Sequence, residues 1–116
     1  MDLKEAMQYM NIDVDNVLSR FSGNSHLMER FVKKFPQDNT FTALQMAYKN
    51  KDYNQIEREA HTLKGIAANL GFDRLFQLSA EIVSDLRADN RENIDRLMNA
   101  LREEYDRLIG WINQID

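Results

Sequence analysis

The spacing of apolar side chains is the feature that most constrains the fold of this 116-residue chain. Almost throughout, apolar residues recur every three or four positions, as they do on one face of an α-helix. The sequence also holds one proline and four glycines, which are too few for the many tight turns of an all-β chain. The pattern therefore predicts an all-α fold.

Proline, glycine and short polar turns divide the chain into helical segments. Pro36 cannot continue a helix, and Gly71 is well placed to end one. No interdomain linker interrupts residues 1–116, so we predict a single domain. Its helices are expected as several short ones over 12–50, then 53–70, 73–87 and 92–113. Short connections between long amphipathic helices favour an antiparallel four-helix bundle with additional short N-terminal helices.

Charge and composition limit the classes of partner that the chain can bind. The net charge is −4, acidic and basic residues are mixed, and cysteine is absent. Without a basic stripe we expect no nucleic-acid partner, and we expect no membrane association because the chain lacks a long apolar run and a signal peptide. The lack of cysteine fits a reducing compartment, so we expect a cytoplasmic protein. A monomer is expected because one bundle can bury all the apolar stripes.

The segment 53–70 carries His61 within the stretch AHTLKGIAANLG, and Gly65 follows one helical turn later. Glycine inside a helix costs about 1 kcal/mol relative to alanine. At 100° per residue, His61 lies about 140° and Gly65 about 180° from the centre of the apolar stripe. We therefore expect the imidazole to project outward, with space left beside it by the small residues Gly65 and Ala68. The stripe itself comprises Ile56, Ala60, Leu63, Ala67 and Leu70.

Charged residues near His61 favour phosphoryl chemistry. Lys64 can place an ammonium beside a group attached to the ring, and Glu57 can accept a proton from one ring nitrogen. An exposed neutral imidazole with a nearby cation suits attack on a phosphoryl group. The sequence has no nucleotide-binding loop, no acidic cluster for magnesium and no zinc motif. We predict a phosphate carrier, not an enzyme with its own turnover, that binds no metal or cofactor and takes its catalytic groups from a partner.

The stretch AHTLKGIAANLG resembles the signature of histidine-containing phosphotransfer (HPt) domains, H-x-L-K-G with a further glycine ten residues after the histidine. The matching residues are His61, Leu63, Lys64, Gly65 and Gly71. The segments VLSRFSGNSHLMERFVKKF and AYKNKDYNQIEREAH are similar to the family's N-terminal helices and to its approach to the histidine helix. The resemblance covers residues 12–88.

This resemblance implies a phosphorelay carrier in two-component signalling. In such domains the histidine accepts a phosphoryl group from the aspartate of one response-regulator receiver domain and passes it to another. The implied partners are receiver domains and a hybrid sensor kinase. The receiver supplies the magnesium. By the same resemblance His61 is the phosphorylation site, Lys64 steadies the phosphate, and Gly65 gives the receiver's active-site loop room to approach.

The position twenty-two residues after the histidine departs from the family pattern. Members often have Gln or Glu there, which hydrogen-bonds the imidazole, whereas this chain has Val83. Either the orienting partner is missing, or Glu57, Ser84 or water takes its place. Arg87 matches a basic residue of some members. It either assists phosphate or receiver binding or is a solvated cation near a helix C-terminus.

One flank of the segment 73–87 is a candidate receiver-binding face. Antiparallel pairing across Gly71 would bring this flank level with His61. Phe76 and Val83 either belong to the core or join Ala68 in an apolar patch beside the histidine. The candidate residues are Phe76, Gln77, Ala80 and Val83.

Two other functions are weighed against the carrier. A helical adaptor would bind a receiver or another signalling partner without being phosphorylated, and the apolar residue at 83 supports that alternative. A catalytic kinase fragment is disfavoured because the sequence has no ATP-binding motif.

Overall fold

The structure, a computed structural model, describes residues 1–116 and contains helices without strands. The all-α prediction is confirmed. A 3₁₀ turn at Phe35–Gln37 separates the third and fourth of seven α-helices. The helices are α1 (Leu3–Tyr9), α2 (Val14–Arg20), α3 (Ser25–Lys34), α4 (Thr40–Lys49), α5 (Tyr53–Leu70), α6 (Asp73–Arg87) and α7 (Ile94–Ile112).

Polar residues placed just before four of the helices define where these helices begin. In each case a side-chain oxygen accepts a hydrogen bond from the backbone N–H three residues on, which satisfies a donor that the helix itself leaves unpaired. A cap of this kind contributes about 1 kcal/mol. The capping residues are Asp2 of α1, Asp13 of α2, Asn24 of α3 and Asp52 of α5, at 2.8–3.1 Å.

The four C-terminal helices, α4 to α7, run alternately up and down around one hydrophobic core. Short turns join α4 to α5 and α5 to α6, so neighbouring helices are antiparallel. The bundle closes between α4 and α7, where the Phe41 and Tyr105 rings stack with centroids 3.9 Å apart. At the other end of the same seam, the Tyr48 hydroxyl donates a hydrogen bond to the Asp95 carboxylate, and this contact raises the pKa of Tyr48.

Helix α1 is an element that the sequence analysis did not predict, since the first expected helix began near residue 12. It is only seven residues long, too short for its apolar spacing to stand out from chance. It packs on α7, where the Tyr9 and Trp111 rings stack with centroids 4.6 Å apart. The Arg107 guanidinium donates to the carbonyls of Tyr9 and Met10, at 3.2 and 3.1 Å, and so satisfies acceptors at the end of α1.

The buried face of α3 does not follow the interval of four residues at which large apolar side chains recur in this segment. Leu27, Phe31 and Phe35 recur at such intervals, yet Phe31 is 51% exposed. The residues that face the bundle are Met28, Val32 and Phe35, all buried. The apolar surface of α3 is wider than the bundle can cover, so the Phe31 ring stays at the surface, 5.5 Å from the Phe21 ring.

Gly71 makes the tight connection between α5 and α6. Its φ of +73° is a left-handed conformation that ends α5, and the N–H of Phe72 then donates back to the carbonyl of Ala67 at 2.9 Å. A Cβ atom at Gly71 would lie 2.3 Å from Cγ2 of Val17, which is itself buried. This glycine is therefore required both by its backbone conformation and by the approach of α2.

Substituting Gly71→Ala should destabilise the protein by clearly more than Gly23→Ala. Gly23 also has a positive φ, of +77°, but a Cβ atom there would meet nothing within 4 Å. The control substitution should cost about 1–2 kcal/mol for the left-handed backbone, and Gly71→Ala about 1–3 kcal/mol more for overpacking. Urea denaturation of both variants measures the difference. Equal losses would show that Val17 yields without cost.

Candidate functional site

An exposed strip on α5 carries the predicted reactive group. His61 and Gly65 are exposed, and Lys64 and Ala68 are half-buried between them and the core. On the opposite side of the helix the five residues of the apolar stripe are all buried, each at most 4% exposed. The imidazole therefore projects to solvent, as the helical wheel predicts, while the other face of α5 holds the bundle together.

Gly65 has no role that the fold itself explains. It lies in the interior of α5, and it is not among the residues with positive φ. A Cβ atom at this position would meet nothing within 4 Å. No neighbouring helix needs the space, so the space beside His61 is open to a group from outside the chain.

An ion pair between α5 and α6 indicates which residues of the hairpin lie level with His61. Nε of Arg87 is 3.6 Å from Oε2 of Glu57, four residues before His61. Because the helices are antiparallel, four residues forward on α5 correspond to four residues back on α6. This register places Val83 level with His61, Ala80 near Lys64, and Phe76 near Ala68. Beyond the end of α6, the Arg91 guanidinium lies 3.8 Å from the centre of the Tyr53 ring at the start of α5.

The His61 ring has no orienting partner among the side chains proposed for it. The Glu57 carboxylate pairs with Arg87. Ser84 is exposed on α6, and Val83 is apolar. The predicted roles of Glu57 and Ser84 in orienting the ring therefore have no counterpart in this structure.

The candidate receiver-binding flank of α6 is smaller than predicted. Val83 is 2% exposed and belongs to the hydrophobic core, so it cannot contact a partner. Val83 lies four residues after Ser79 and three before Leu86, both buried, so it belongs to the face that α6 turns to the core. Phe76 and Ala80 are half-buried, and Gln77 is exposed, so these three remain at the surface.

A groove on the other side of the exposed strip was not predicted. It has a volume of about 540 Å³ and lies between the α2–α3 region and the C-terminal half of α5. Its α5 wall includes Ile66 and Asn69, and Asn69 is one helical turn after Gly65 on the same face. The feature of the sequence that could have predicted this groove is the apolar face of α3, which is too wide for the bundle to cover and so leaves Phe31 at the surface. The apolar residues that line the groove are Phe21, Phe31, Phe35, Ile66 and Leu70, and its charged residues are Arg20, Lys34 and Asp38.

The chain as described brings together no cluster of three or more histidine, cysteine, aspartate or glutamate side chains suited to hold a metal ion. None of its helices is both long and apolar enough to cross a membrane. The chemistry that the chain itself offers at the strip is one exposed imidazole with Lys64 one turn away and the Glu57–Arg87 pair one turn back.

Comparison with known protein families identifies one family whose sequence model covers this site. The sequence model of the Hpt domain family matches residues 26–111, a range that contains every site residue predicted on α5 and α6. Neither a curated protein nor a solved structure matches the chain. Because the family match spans most of the 116 residues, the chain belongs to the Hpt domain family.

Proposed function

We propose that this protein is a phosphorelay carrier in which His61 accepts a phosphoryl group from a receiver-domain aspartate and passes it to a second receiver. Histidine phosphotransfer in two-component signalling is the function of the Hpt domain family, and receiver domains are its typical partners. The observation that supports His61 as the site is its exposure beside Gly65, where the fold leaves open space that no neighbouring element uses.

The imidazole is the one group of this chain that forms and breaks bonds in the transfer step. A lone pair on one ring nitrogen attacks phosphorus, the N–P bond forms, and the bond from phosphorus to the aspartate oxygen breaks. The aspartate leaves as a carboxylate, and the other ring nitrogen releases its proton, so the ring returns to neutrality. Transfer to the second receiver is the reverse of these steps. The carrier has no turnover of its own, because each phosphoryl group that it gains must be given away.

Cations on both sides of the transferred group would stabilise its charge. In this proposal Lys64 steadies the phosphoryl oxygens from the carrier, with Arg87 as a further cation. Magnesium comes from the acidic pocket of the receiver.

The docking face would extend to both sides of the strip. On one side lie Phe76, Gln77 and Ala80 of α6, and on the other lies the groove lined by Phe21 and Phe31. An apolar surface with a polar and charged rim fits a specific protein interface. Gly65 lies between the two halves and would let a receiver loop approach the ring.

A helical adaptor that binds receivers without being phosphorylated is the second candidate. It is favoured by one observation, the buried Val83 where an imidazole-orienting side chain is common in the family.

Phosphotransfer to His61 should be abolished by His61→Gln and unaffected by His26→Gln. His26 is the only other histidine and is exposed on α3, so it is a matched control for adventitious labelling. A panel of receiver domains, charged with a small phosphodonor in the presence of Mg²⁺, serves as donors. Acid-labile and base-stable phosphate on the protein is the expected product. Binding of receivers without any label would favour the adaptor.

Replacing Gly65 by Gln should slow phosphotransfer although it raises helix propensity. The substitution fills the space beside His61, while the gain in helix stability is at most about 1 kcal/mol. Gly110→Gln is the control, because Gly110 is also helical and exposed and a Cβ atom there would meet nothing within 4 Å. The measurement is the transfer rate together with the free energy of unfolding. An unchanged rate for Gly65→Gln would show that a receiver does not need the open space at this position.

The substitution Phe31→Ser should weaken receiver binding and leave the fold intact. Phe31 is 51% exposed at the groove, and Met46→Ser is the control because Met46 is 53% exposed on α4. Apolar contacts at the centre of an interface typically contribute 1–4 kcal/mol, so we expect the Kd for a partner receiver to rise at least about fivefold. Calorimetric titration measures it. Equal effects of the two substitutions would place docking elsewhere.

A further inference from the structure

The Glu57–Arg87 ion pair lies one helical turn from the proposed phosphorylation site. Glu57 precedes His61 by four residues, which is about 6 Å along the axis of α5. Arg87 is the last residue of α6, and its Nε approaches Oε2 of Glu57 to 3.6 Å. The pair therefore holds a guanidinium at the level of the helix turn that precedes the imidazole.

This guanidinium is held loosely. The Arg87 side chain is 57% exposed and the Glu57 side chain 32% exposed, and at 3.6 Å the two form an ion pair without a hydrogen bond. Exposed ion pairs contribute little, because solvent screens the charges and long side chains lose freedom. Arg87 can therefore exchange partners at small cost.

A phosphoryl group on His61 would compete for the same cation. It carries a charge of about −1.5 to −2 and three acceptor oxygens, and arginine binds such oxygens in a bidentate manner. Glu57 offers a single negative charge on the same stretch of helix. The arrangement is thus a competition between a carboxylate and a phosphoryl group for one guanidinium.

We propose that Glu57 is a positioning residue: it holds Arg87 in an ion pair one turn before His61 in the unphosphorylated protein, and it competes with the phosphoryl group for Arg87 when His61 is modified. The proposal rests on the phosphorylation of His61 proposed above. Glu57 acts through Arg87 and not on the imidazole, since its carboxylate is already engaged across the helix seam. Its strength as a competitor sets how firmly Arg87 binds the phosphoryl oxygens.

The second acid dissociation constant of the phosphoryl group on His61 reports on the contact between Arg87 and the phosphoryl oxygens, because a bound guanidinium favours the dianion. All variants carry His26→Gln so that His61 is the single imidazole, and phosphoramidate loads the phosphoryl group chemically. A ³¹P NMR titration then follows the group. We expect Glu57→Gln to free Arg87 and raise the second dissociation constant about two- to fivefold, the range set by exposed ion pairs. Arg87→Gln should lower it.

The double variant separates positioning from a direct charge effect. If Glu57 acts through Arg87, Glu57→Gln should change the dissociation constant much less in the Arg87→Gln background than alone. An equal change in both backgrounds, or no change from Glu57→Gln alone, would overturn the proposal.

A matched control pair lies elsewhere on α6. Glu81 pairs with Arg96 of α7 at 3.7 Å, and Glu81 projects about 120° away from Arg87 around the helix. Glu81→Gln should leave the titration unchanged, and a change equal to that of Glu57→Gln would also overturn the proposal.

Chemical loading of His61 needs no receiver. If receivers fail to phosphorylate His61, the carrier function fails, while the titration still reports on the pair.

Discussion

The short connection at Gly71 is the constraint on which the site depends. A left-handed residue ends α5, and α6 begins two residues later, so the two helices leave the turn in one fixed antiparallel register. The approach of Val17 to Gly71 excludes a larger side chain there and ties α2 to the same corner. From this register follow the pairing of Glu57 with Arg87 and the position of Val83 level with His61. The surroundings of the imidazole are thus set about ten residues away from it.

The α5 helix divides two tasks between opposite faces. Its buried stripe packs against the bundle, while on the outer face His61 is exposed and a Cβ atom at Gly65 would meet nothing within 4 Å. A helix can accept a glycine there because burial on the other face stabilises it far more than about 1 kcal/mol. In our proposal His61 of this strip is the nucleophile, and the partner receiver supplies the acidic pocket.

The two sides of the exposed strip are built by different helices. Residues of α6 form one side and lie within the range matched by the family model, 26–111. The groove on the other side also uses Arg20 and Phe21, which precede that range, at the end of α2. In our proposal the docking face therefore joins residues of α6 to residues of α2, α3 and the C-terminal half of α5.

The sequence by itself determined the helical class, the ranges of α5 and α6, and the outward direction of His61, because these depend on local periodicity and on caps such as Asp52 and Gly71. It also carried the motif by which the family is recognised. Only the tertiary structure decided that α1 forms on α7, that Val83 is buried while Phe31 is exposed, and that Glu57 binds Arg87 instead of the imidazole. A wheel shows which residues of a helix share a face, but neighbouring helices decide how much of that face is covered. The pairing of Glu57 with Arg87 depends on the register of α5 against α6, which the periodicity of one helix does not contain.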